Sequence, residues 1–306
     1  MDKPRTIYLF DAHKRYLQIE SYADRTEIIS VPSNNGADWY YHYPCEVTHT
    51  HAVESTQARI YLAGVSTTTL KQGHPCVLEI NRNDGSVICE RVMRLHGKGT
   101  VSALHISARQ HVYALSVKSR TKDANTYRSV LVAYDPQTGK RNWVCDISTG
   151  GKYEIAQLRY DKGVYYALGI VDRKQSVRVV ITAVSGDGVK LWQKHLGLYP
   201  QIKELALETG YGVIDAVWID SSEPTVVRRA RLLPSGEIRE IKKHHVEGIH
   251  RGAIDVVTNS PTQLCLGWYP RLNKEVRYRN LHYTEGVSKD FPYIRMPKFT
   301  ASYLTR

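Results

Sequence analysis

Histidines are the residues whose spacing comes nearest to a chemical site in this chain. His49 and His51 stand two apart in THTHAVE, so on a strand both would project from one face and could share a metal ion. A second group, in KKHHVEGIHRG, comprises His244, His245 and His250. A zinc site needs three or four ligands, and no third ligand has a recognisable spacing from the first pair. We therefore expect no stoichiometric metal and interpret both segments as connections between repeats. The sequence leaves open whether the two groups form one site.

Other groups capable of covalent chemistry form no recognisable catalytic set. The five cysteines are widely separated and include no C-x-x-C spacing: Cys45, Cys76, Cys89, Cys145 and Cys265. This usage indicates neither a disulfide framework nor a zinc cluster, and it is typical of a reducing compartment. The sequence has no G-x-S-x-G elbow, and its glycine-rich segment STGGKYE lacks the P-loop spacing. We therefore expect a protein that is not an enzyme, with no cofactor and no identifiable small-molecule substrate.

Positive charge is the strongest functional signal in the sequence. The 306 residues include 42 Lys and Arg against 30 Asp and Glu, which gives a net charge of +12 and a pI near 9.4. Such an excess favours an acidic partner. Three segments expected between the second and third strands of a repeat carry eight cations: Lys118, Arg120, Lys122, Arg128, Arg173, Lys174, Arg271 and Lys274. Loops on a rigid scaffold concentrate binding residues, so we hypothesise that these eight form the surface for an acidic protein partner.

The sequence has a second concentration of basic residues, and its charge is also compatible with other functions. These cations are expected on the outer strands of the last two repeats: Arg228, Arg229, Arg231, Arg239, Lys242, Lys243, Arg277 and Arg279. A solvated basic surface is the alternative interpretation of both groups. Nucleic-acid binding through phosphate contacts is the second functional hypothesis, although the loops lack the aromatic residues of a base-stacking platform. The third functional hypothesis is a hydrolase or lyase with its site in a central funnel of the fold. The sequence offers no catalytic residues for it.

An internal repeat predicts the elements that would hold these loops. A glycine turn recurs roughly every 50 residues, at Gly36, Gly85, Gly139, Gly188, Gly236 and Gly286. Each turn lies between strand-like runs, and two more such runs precede most of these hairpins, which is typical of four strands that end in a hairpin. No segment has a sustained helical apolar period. The sequence therefore predicts an all-β fold, a single β-propeller domain over 1–306 with four-stranded antiparallel blades. The count gives six blades, or seven if KFTASYLTR completes another.

Composition adds an expectation about the compartment. Hydrophobic residues make up 42% of the chain, and the mean hydropathy is -0.40. The apolar run near the start, Ile7 to Phe10, is too short for the core of a signal peptide. No stretch approaches the about 18 apolar residues of a membrane span. We expect a cytoplasmic protein that does not insert into membranes.

One repeat carries a more specific motif, AYDPQTGKRNW. Its residues match A-x-D-x-x-T-G-K-x-x-W at Ala133, Asp135, Thr138, Gly139, Lys140 and Trp143, and the next repeat keeps Ala183, Gly188 and Trp192. On these residues the chain resembles the quinoprotein-type (PQQ-like) β-propeller repeat family. The resemblance implies a docking role, in which the tryptophan packs between blades while the Asp, Thr and Gly hold the turn. We accordingly predict that Trp143 and Trp192 are buried.

The same resemblance bears on the cofactor. Enzymes of the family bind pyrroloquinoline quinone and Ca²⁺ in an eight-bladed barrel, and many stack a pair of adjacent cysteines on the quinone. This sequence has no adjacent cysteines and too few repeats for that barrel. The resemblance therefore implies the fold without the quinone, as in the non-catalytic scaffold members of the family.

Overall fold

The computed structural model describes residues 5–10, 16–21, 25–31, 40–44, 48–55, 58–66, 73–94, 97–118, 127–173, 175–246, 254–260, 263–268 and 277–282. In this part of the chain the regular structure is β-strand, and no α-helix occurs. The all-β prediction is confirmed. Among these residues, no helix has the length and apolar character that a membrane crossing requires.

The first of two compact units comprises the described residues up to Glu154. Its strands are β1 (Arg5–Phe10), β2 (Tyr16–Ser21), β3 (Arg25–Val31), β4 (Tyr40–Pro44), β5 (Thr48–Ser55), β6 (Arg59–Val65), β7 (Pro75–Asn81), β8 (Val87–Val92), β9 (Gly99–Ile106), β10 (His111–Lys118), β11 (Tyr127–Tyr134) and β12 (Arg141–Asp146). They form three four-stranded sheets, β1–β4, β5–β8 and β9–β12, in which each strand pairs with its neighbours in sequence.

The second unit comprises the described residues from Ile155 onward. The remaining strands are β13 (Tyr153–Asp161), β14 (Val164–Arg173), β15 (Ser176–Ser185), β16 (Lys190–Tyr199), β17 (Ile202–Gly210), β18 (Val213–Asp220), β19 (Val226–Leu232), β20 (Ile238–His245), β21 (Ile254–Ser260), β22 (Gln263–Trp268) and β23 (Arg277–His282). They form two four-stranded sheets, β13–β16 and β17–β20, and the three-stranded sheet β21–β23. The predicted four-stranded antiparallel repeat is therefore present in both units.

A glycine hairpin between the third and fourth strands explains the sequence repeat. Gly85, Gly139, Gly188 and Gly236 have φ of 73°, 67°, 86° and 84°. Each donates its N–H to the residue that opens the turn, at 2.9 Å. Residues with a side chain rarely adopt this left-handed conformation, so the turn requires glycine. The predicted turns at Gly36 and Gly286 lie outside the described residues.

Each sheet has two ends that carry different connections. Because the strands are antiparallel and sequential, the first turn and the glycine hairpin lie at one end, here called the hairpin end. The loop between the second and third strands lies at the other end, here called the loop end, together with the connection to the next sheet. The described residues of the predicted cationic loops, Lys118, Arg128 and Arg173, lie at the loop end.

Apolar side chains of the inner strands form the core within each unit. In β10, all residues but the last are buried, whereas β12 is mostly exposed. One cluster joins sheets β5–β8 and β9–β12 and includes Tyr61, Leu115 and Val132. Another joins Val217 and Val227 of sheet β17–β20 to Leu266 of β22. Neighbouring sheets therefore pack face to face, and the fourth strands lie on the solvent side.

Candidate functional site

The Asp135 carboxylate holds the hairpin of the AYDPQTGKRNW segment. Its Oδ1 accepts hydrogen bonds from the Gln137 N–H at 2.9 Å, the Thr138 N–H at 2.6 Å and the Thr138 hydroxyl at 2.9 Å. These bonds, the Thr138 N–H first, hold the pKa of Asp135 below its ordinary value. Ala133, fully buried, stands opposite Trp143 across β11 and β12. The chemistry of the turn is structural.

Trp192 occupies the corresponding position in the next sheet and reaches the sheet that follows. Its Nε1 donates to the Pro234 carbonyl at 2.8 Å. Its ring covers Gly236 so closely that a Cβ there would lie 2.8 Å from the ring Cδ2. The ring therefore packs on the hairpin of its neighbour, across from the buried Ala183 of its own sheet.

The degree of burial differs from the prediction. Trp143 and Trp192 are both half-buried, not buried. The fourth strand pairs with only one neighbour and lies on the solvent side of its sheet, so a side chain there keeps one exposed edge. Gly188 lies in the hairpin before Trp192.

In sheet β17–β20 the matching positions hold charges. Asp215, Arg231 and Glu240 stand opposite one another on β18, β19 and β20. The pair Arg231 and Glu240 replaces the pair Ala183 and Trp192 of the preceding sheet. Here a charged row takes the place of the small residue and the aromatic ring.

The centre of that row is a desolvated arginine–aspartate cluster. Arg229 Nε donates to Asp215 Oδ1 at 3.0 Å. Arg231 donates from Nε to Oδ1 at 2.9 Å and from Nη2 to Oδ2 at 2.7 Å, a two-pronged ion pair. The side chains of Arg229, Arg231 and Asp215 are 0%, 3% and 0% exposed. One carboxylate therefore serves two guanidinium groups inside the sheet packing, where an unpaired charge would be costly.

This finding corrects the sequence interpretation of Arg228, Arg229 and Arg231 as outer-strand residues. They lie on β19, an inner strand with a neighbour on each side, and all three are buried. Arg228 pairs with Asp220 at 3.6 Å and with Glu223. The run of arginines predicts exposure, but carboxylates of β18 and of the loop after it meet these side chains once β18 pairs with β19.

The loop end of the first unit carries cationic residues on a backbone that hydrogen bonds hold in place. The Lys118 N–H donates to the Lys98 carbonyl at 2.8 Å, and the Gly99 N–H donates to the Gly73 carbonyl at 2.7 Å. Gly99 packs directly on the next strand, because a Cβ there would lie 2.1 Å from the Ser116 carbonyl oxygen. Hydrogen bonds and close packing therefore fix the backbone that carries Lys98 and Lys118.

We use the name cationic loop end for Arg94, Lys98 and Lys118. All three are exposed, and within the described part of the chain none of them forms an ion pair. By contrast, Arg128 is bound to Asp146 at 2.7 Å across the same sheet. Arg94 and Lys98 were missed by the sequence prediction, which considered only loops between second and third strands. The signal that could have found them is RLHGKG, where glycines flank a lysine next to a strand.

The other predicted partner-binding residues fall into two groups. Arg173 ends β14 at the loop end of the second unit and is exposed. Burial, and then the positive charges of Arg178 and Arg173, lower the pKa of His195. The remaining predicted residues lie outside the described residues: Arg120, Lys122, Lys174, Arg271 and Lys274.

The histidine groups provide no described metal site. His49 and His51 both lie in β5, but their side chains are outside the described part. His244 and His245 are consecutive in β20 and so project to opposite faces, and His250 is not among the described residues. Among the side chains that the structure describes, no three His, Cys, Asp or Glu residues group as a metal site would require.

Comparison with known proteins bears on the fold. No protein-family model and no curated protein matches the chain. Among solved structures, a europium-containing methanol dehydrogenase is similar with a TM-score of 0.51 and 11% identity over 91% of this chain and 70% of its own. A triple arginine-to-alanine mutant of AofleA from Arthrobotrys oligospora also reaches 0.51, with 9% identity over 94% of this chain and 85% of its own.

A third similar structure is Drosophila Semaphorin 1a, extracellular domains 1-2. Its TM-score is 0.51, with 6% identity over 92% of this chain and 74% of that one. At such identities the likeness shows the fold alone. The chain therefore has a propeller-type β fold, of the kind shared by PQQ quinoproteins and other propeller proteins.

Proposed function

We propose that this chain is a non-catalytic propeller scaffold whose cationic loop end binds an acidic protein partner. The observation that carries the proposal is the positive charge of Arg94, Lys98 and Lys118, which form no ion pair with a described residue, on a backbone fixed by hydrogen bonds. Positive groups held in place on a rigid scaffold speed and orient the encounter with an acidic surface. Arg173 and the predicted loop cations would extend the same surface.

The fold proposal is a single closed ring of six blades, with seven as the alternative. Six described antiparallel sheets in sequential order support it. The non-catalytic part of the proposal depends on the sequence, which contains no recognisable nucleophile, cofactor or metal motif.

A charge-reversal variant tests the binding surface. In the test variant, Arg94, Lys98 and Lys118 are changed to Glu. A matched control carries Arg109→Glu, Lys140→Glu and Arg141→Glu, an equal change in charge among exposed residues at the hairpin end. We expect the partner that co-purifies with the parent from its own cells to be lost from the test variant and retained by the control. Equal retention by both variants would overturn the proposal, provided that both keep the parent's β-rich circular dichroism.

Salt dependence separates a protein partner from a nucleic acid. Neutralising six phosphates makes affinity fall on the order of 1000-fold between 50 and 200 mM salt. A protein interface with an apolar centre loses much less. We expect the affinity for the partner to show the weaker salt dependence. A steep log-linear decline of affinity with salt, together with bound nucleic acid, would support the nucleic-acid hypothesis instead.

A further inference from the structure

In the second unit, the fourth strands β16 and β20 carry exposed and partly exposed side chains where their two sheets meet. We define the outer groove by Trp192 and Lys194 on β16 and by Ile238, Ile241 and Lys243 on β20. It differs from the cationic loop end in both position and composition, so binding at the outer groove would be independent of binding at the cationic loop end.

Strand register and two contacts between the sheets place these side chains on the faces by which sheets β13–β16 and β17–β20 meet. Trp192 reaches across to Gly236, and Lys194 is on the same face two residues further along an unbulged stretch. On the other wall, Lys243 is opposite Arg228, whose guanidinium lies 5.1 Å from the Tyr199 ring of β16. That face of sheet β17–β20 is therefore turned toward sheet β13–β16.

The two isoleucines belong to this same face. Ile241 stands opposite Ala230, two residues from Arg228, and Ile238 stands opposite Leu232 beyond a bulge. Ile241 is 50% exposed and Ile238 is 37% exposed. With the half-buried Trp192 they are the partly exposed apolar side chains at this boundary between the two sheets. Neighbouring exposed apolar groups with a polar rim mark interaction sites.

Charge and spacing define the chemistry of the occupant. Apolar and cationic residues alternate at intervals of two on both walls, as Trp192 and Lys194 on β16 and as Ile241 and Lys243 on β20. Both lysines are exposed. Lys194 forms no ion pair with a described residue, and Lys243 meets Glu223 at 3.4 Å. An extended segment with alternating apolar and acidic side chains would match this pattern.

Backbone geometry favours an extended occupant. β16 and β20 are the last strands of their sheets, so each has an edge that pairs with no described strand. β20 runs without a bulge from Glu240 to His245, where its ladder with β19 is regular. A regular edge can pair with an added strand through main-chain hydrogen bonds, while side-chain positions on alternate residues supply specificity. We propose that the outer groove binds an extended segment of a partner protein in which apolar and acidic residues alternate.

A synthetic peptide provides the probe. A labelled twelve-residue peptide of alternating valine and glutamate is titrated with the full chain and followed by fluorescence anisotropy. A valine–lysine peptide of equal length is the charge control. We expect saturable binding of the first peptide only. Ile241→Lys and Lys194→Glu should each weaken its binding at least tenfold.

Matched variants make the result decisive. Leu198→Lys introduces the same side chain at an apolar residue that is 58% exposed on the other face of β16. It should bind the peptide as the parent does, and so should the variant of the cationic loop end. Equal loss in Ile241→Lys and Leu198→Lys, no binding to the parent, or equal binding of both peptides would overturn the proposal. Binding of the parent to anionic phosphatidylserine vesicles with the same sensitivity to Ile241→Lys would overturn it in favour of a membrane surface.

Discussion

Two junctions between neighbouring sheets of the second unit differ in chemistry: one is aromatic and the other is charged. The tryptophan junction joins Trp192 of β16 to Pro234 and Gly236 of the following hairpin. The charged junction sets Asp215 against Arg229 and Arg231 on the face that shares a core cluster with Leu266 of β22. An indole ring buries apolar area and needs one hydrogen-bond acceptor. A buried ion cluster recovers its desolvation cost only when every member is present. The two junctions should therefore fail in different ways when they are altered.

The largest effect is expected at the charged junction. Asp215→Ala removes the carboxylate that both arginines share and leaves their charges desolvated. Breaking a buried pair in this way costs about 3–5 kcal/mol. Urea unfolding followed by circular dichroism should show this loss as a lower midpoint.

A coupled replacement provides the control. The matching positions of sheet β9–β12 hold Val112, Leu131 and Ala133, all buried. The triple change Asp215→Val, Arg229→Leu and Arg231→Ala should restore part of the stability lost in the single variant, because it removes the two uncompensated charges, although alanine leaves space that the Arg231 side chain fills. A triple variant as unstable as Asp215→Ala would show that the cluster contributes more than mutual compensation.

Changes at the tryptophan junction should lower the free energy of unfolding less than Asp215→Ala does. Trp192→Ala removes a half-buried ring, and we expect a cost of about 2–3 kcal/mol, below the about 3–5 kcal/mol of a fully buried aromatic. Trp192→Phe keeps the ring contact and loses the bond to the Pro234 carbonyl, at about 1 kcal/mol. Urea midpoints of the two variants measure both contributions. A cost for Trp192→Ala as large as that of Asp215→Ala would contradict the distinction between the junctions.

Local patterns account for what the sequence could predict. The glycine turns, the alternating strands and the Ala–Trp motif each lie within about a dozen residues, and they predicted the sheets and the position of Trp192. The charged junction was missed because Asp215 and Arg231 meet only after β18 pairs with β19. Nothing in VVRRARL distinguishes buried arginines from solvated ones. Arg94 and Lys98 likewise could not be predicted, because contacts of Gly99 with Gly73 and Ser116, which are distant in sequence, fix the segment that carries them.

A third junction, in the first unit, contains a buried histidine and should make the stability depend on pH. His111 is buried at the start of β10, its ring 5.3 Å from that of Tyr61 and its Nδ1 3.4 Å from the Tyr113 hydroxyl. Burial, and then the positive charges of Arg91 and Arg59, lower its pKa to about 4, although Asp135 acts in the opposite direction. The unfolded chain takes up a proton near the ordinary value of 6.5, whereas the folded chain does not until about 4.

Stability should therefore fall as the pH is lowered through this window. From the two pKa values, the loss at pH 5 relative to pH 7 is roughly 2 kcal/mol. Urea unfolding at both pH values measures the loss, and His111→Phe should remove most of this difference. An unchanged difference in the variant would assign the acid sensitivity to carboxylates. The ring next to Trp192 is that of Tyr166, whose pKa burial raises above its ordinary value of 10.0, so Trp192→Phe should leave the pH dependence between pH 5 and 7 as it is in the parent.

The smallest effect concerns the glycine beneath the tryptophan ring. Gly236 and Gly212 have φ of 84° and 76°, so an alanine at either position adopts the same strained backbone, at about 1 kcal/mol. They differ in their surroundings: a Cβ on Gly236 would meet the Trp192 ring, whereas a Cβ on Gly212 would meet nothing within 4 Å. Gly236→Ala should therefore cost about 1 kcal/mol more than Gly212→Ala in urea unfolding, because the ring must move. In the Trp192→Ala background that excess should vanish, since the obstruction is gone and only the backbone strain remains. An excess that persists without the ring would mean that Gly236 is required by its own hairpin, and that the tryptophan junction depends on the bond to Pro234 alone.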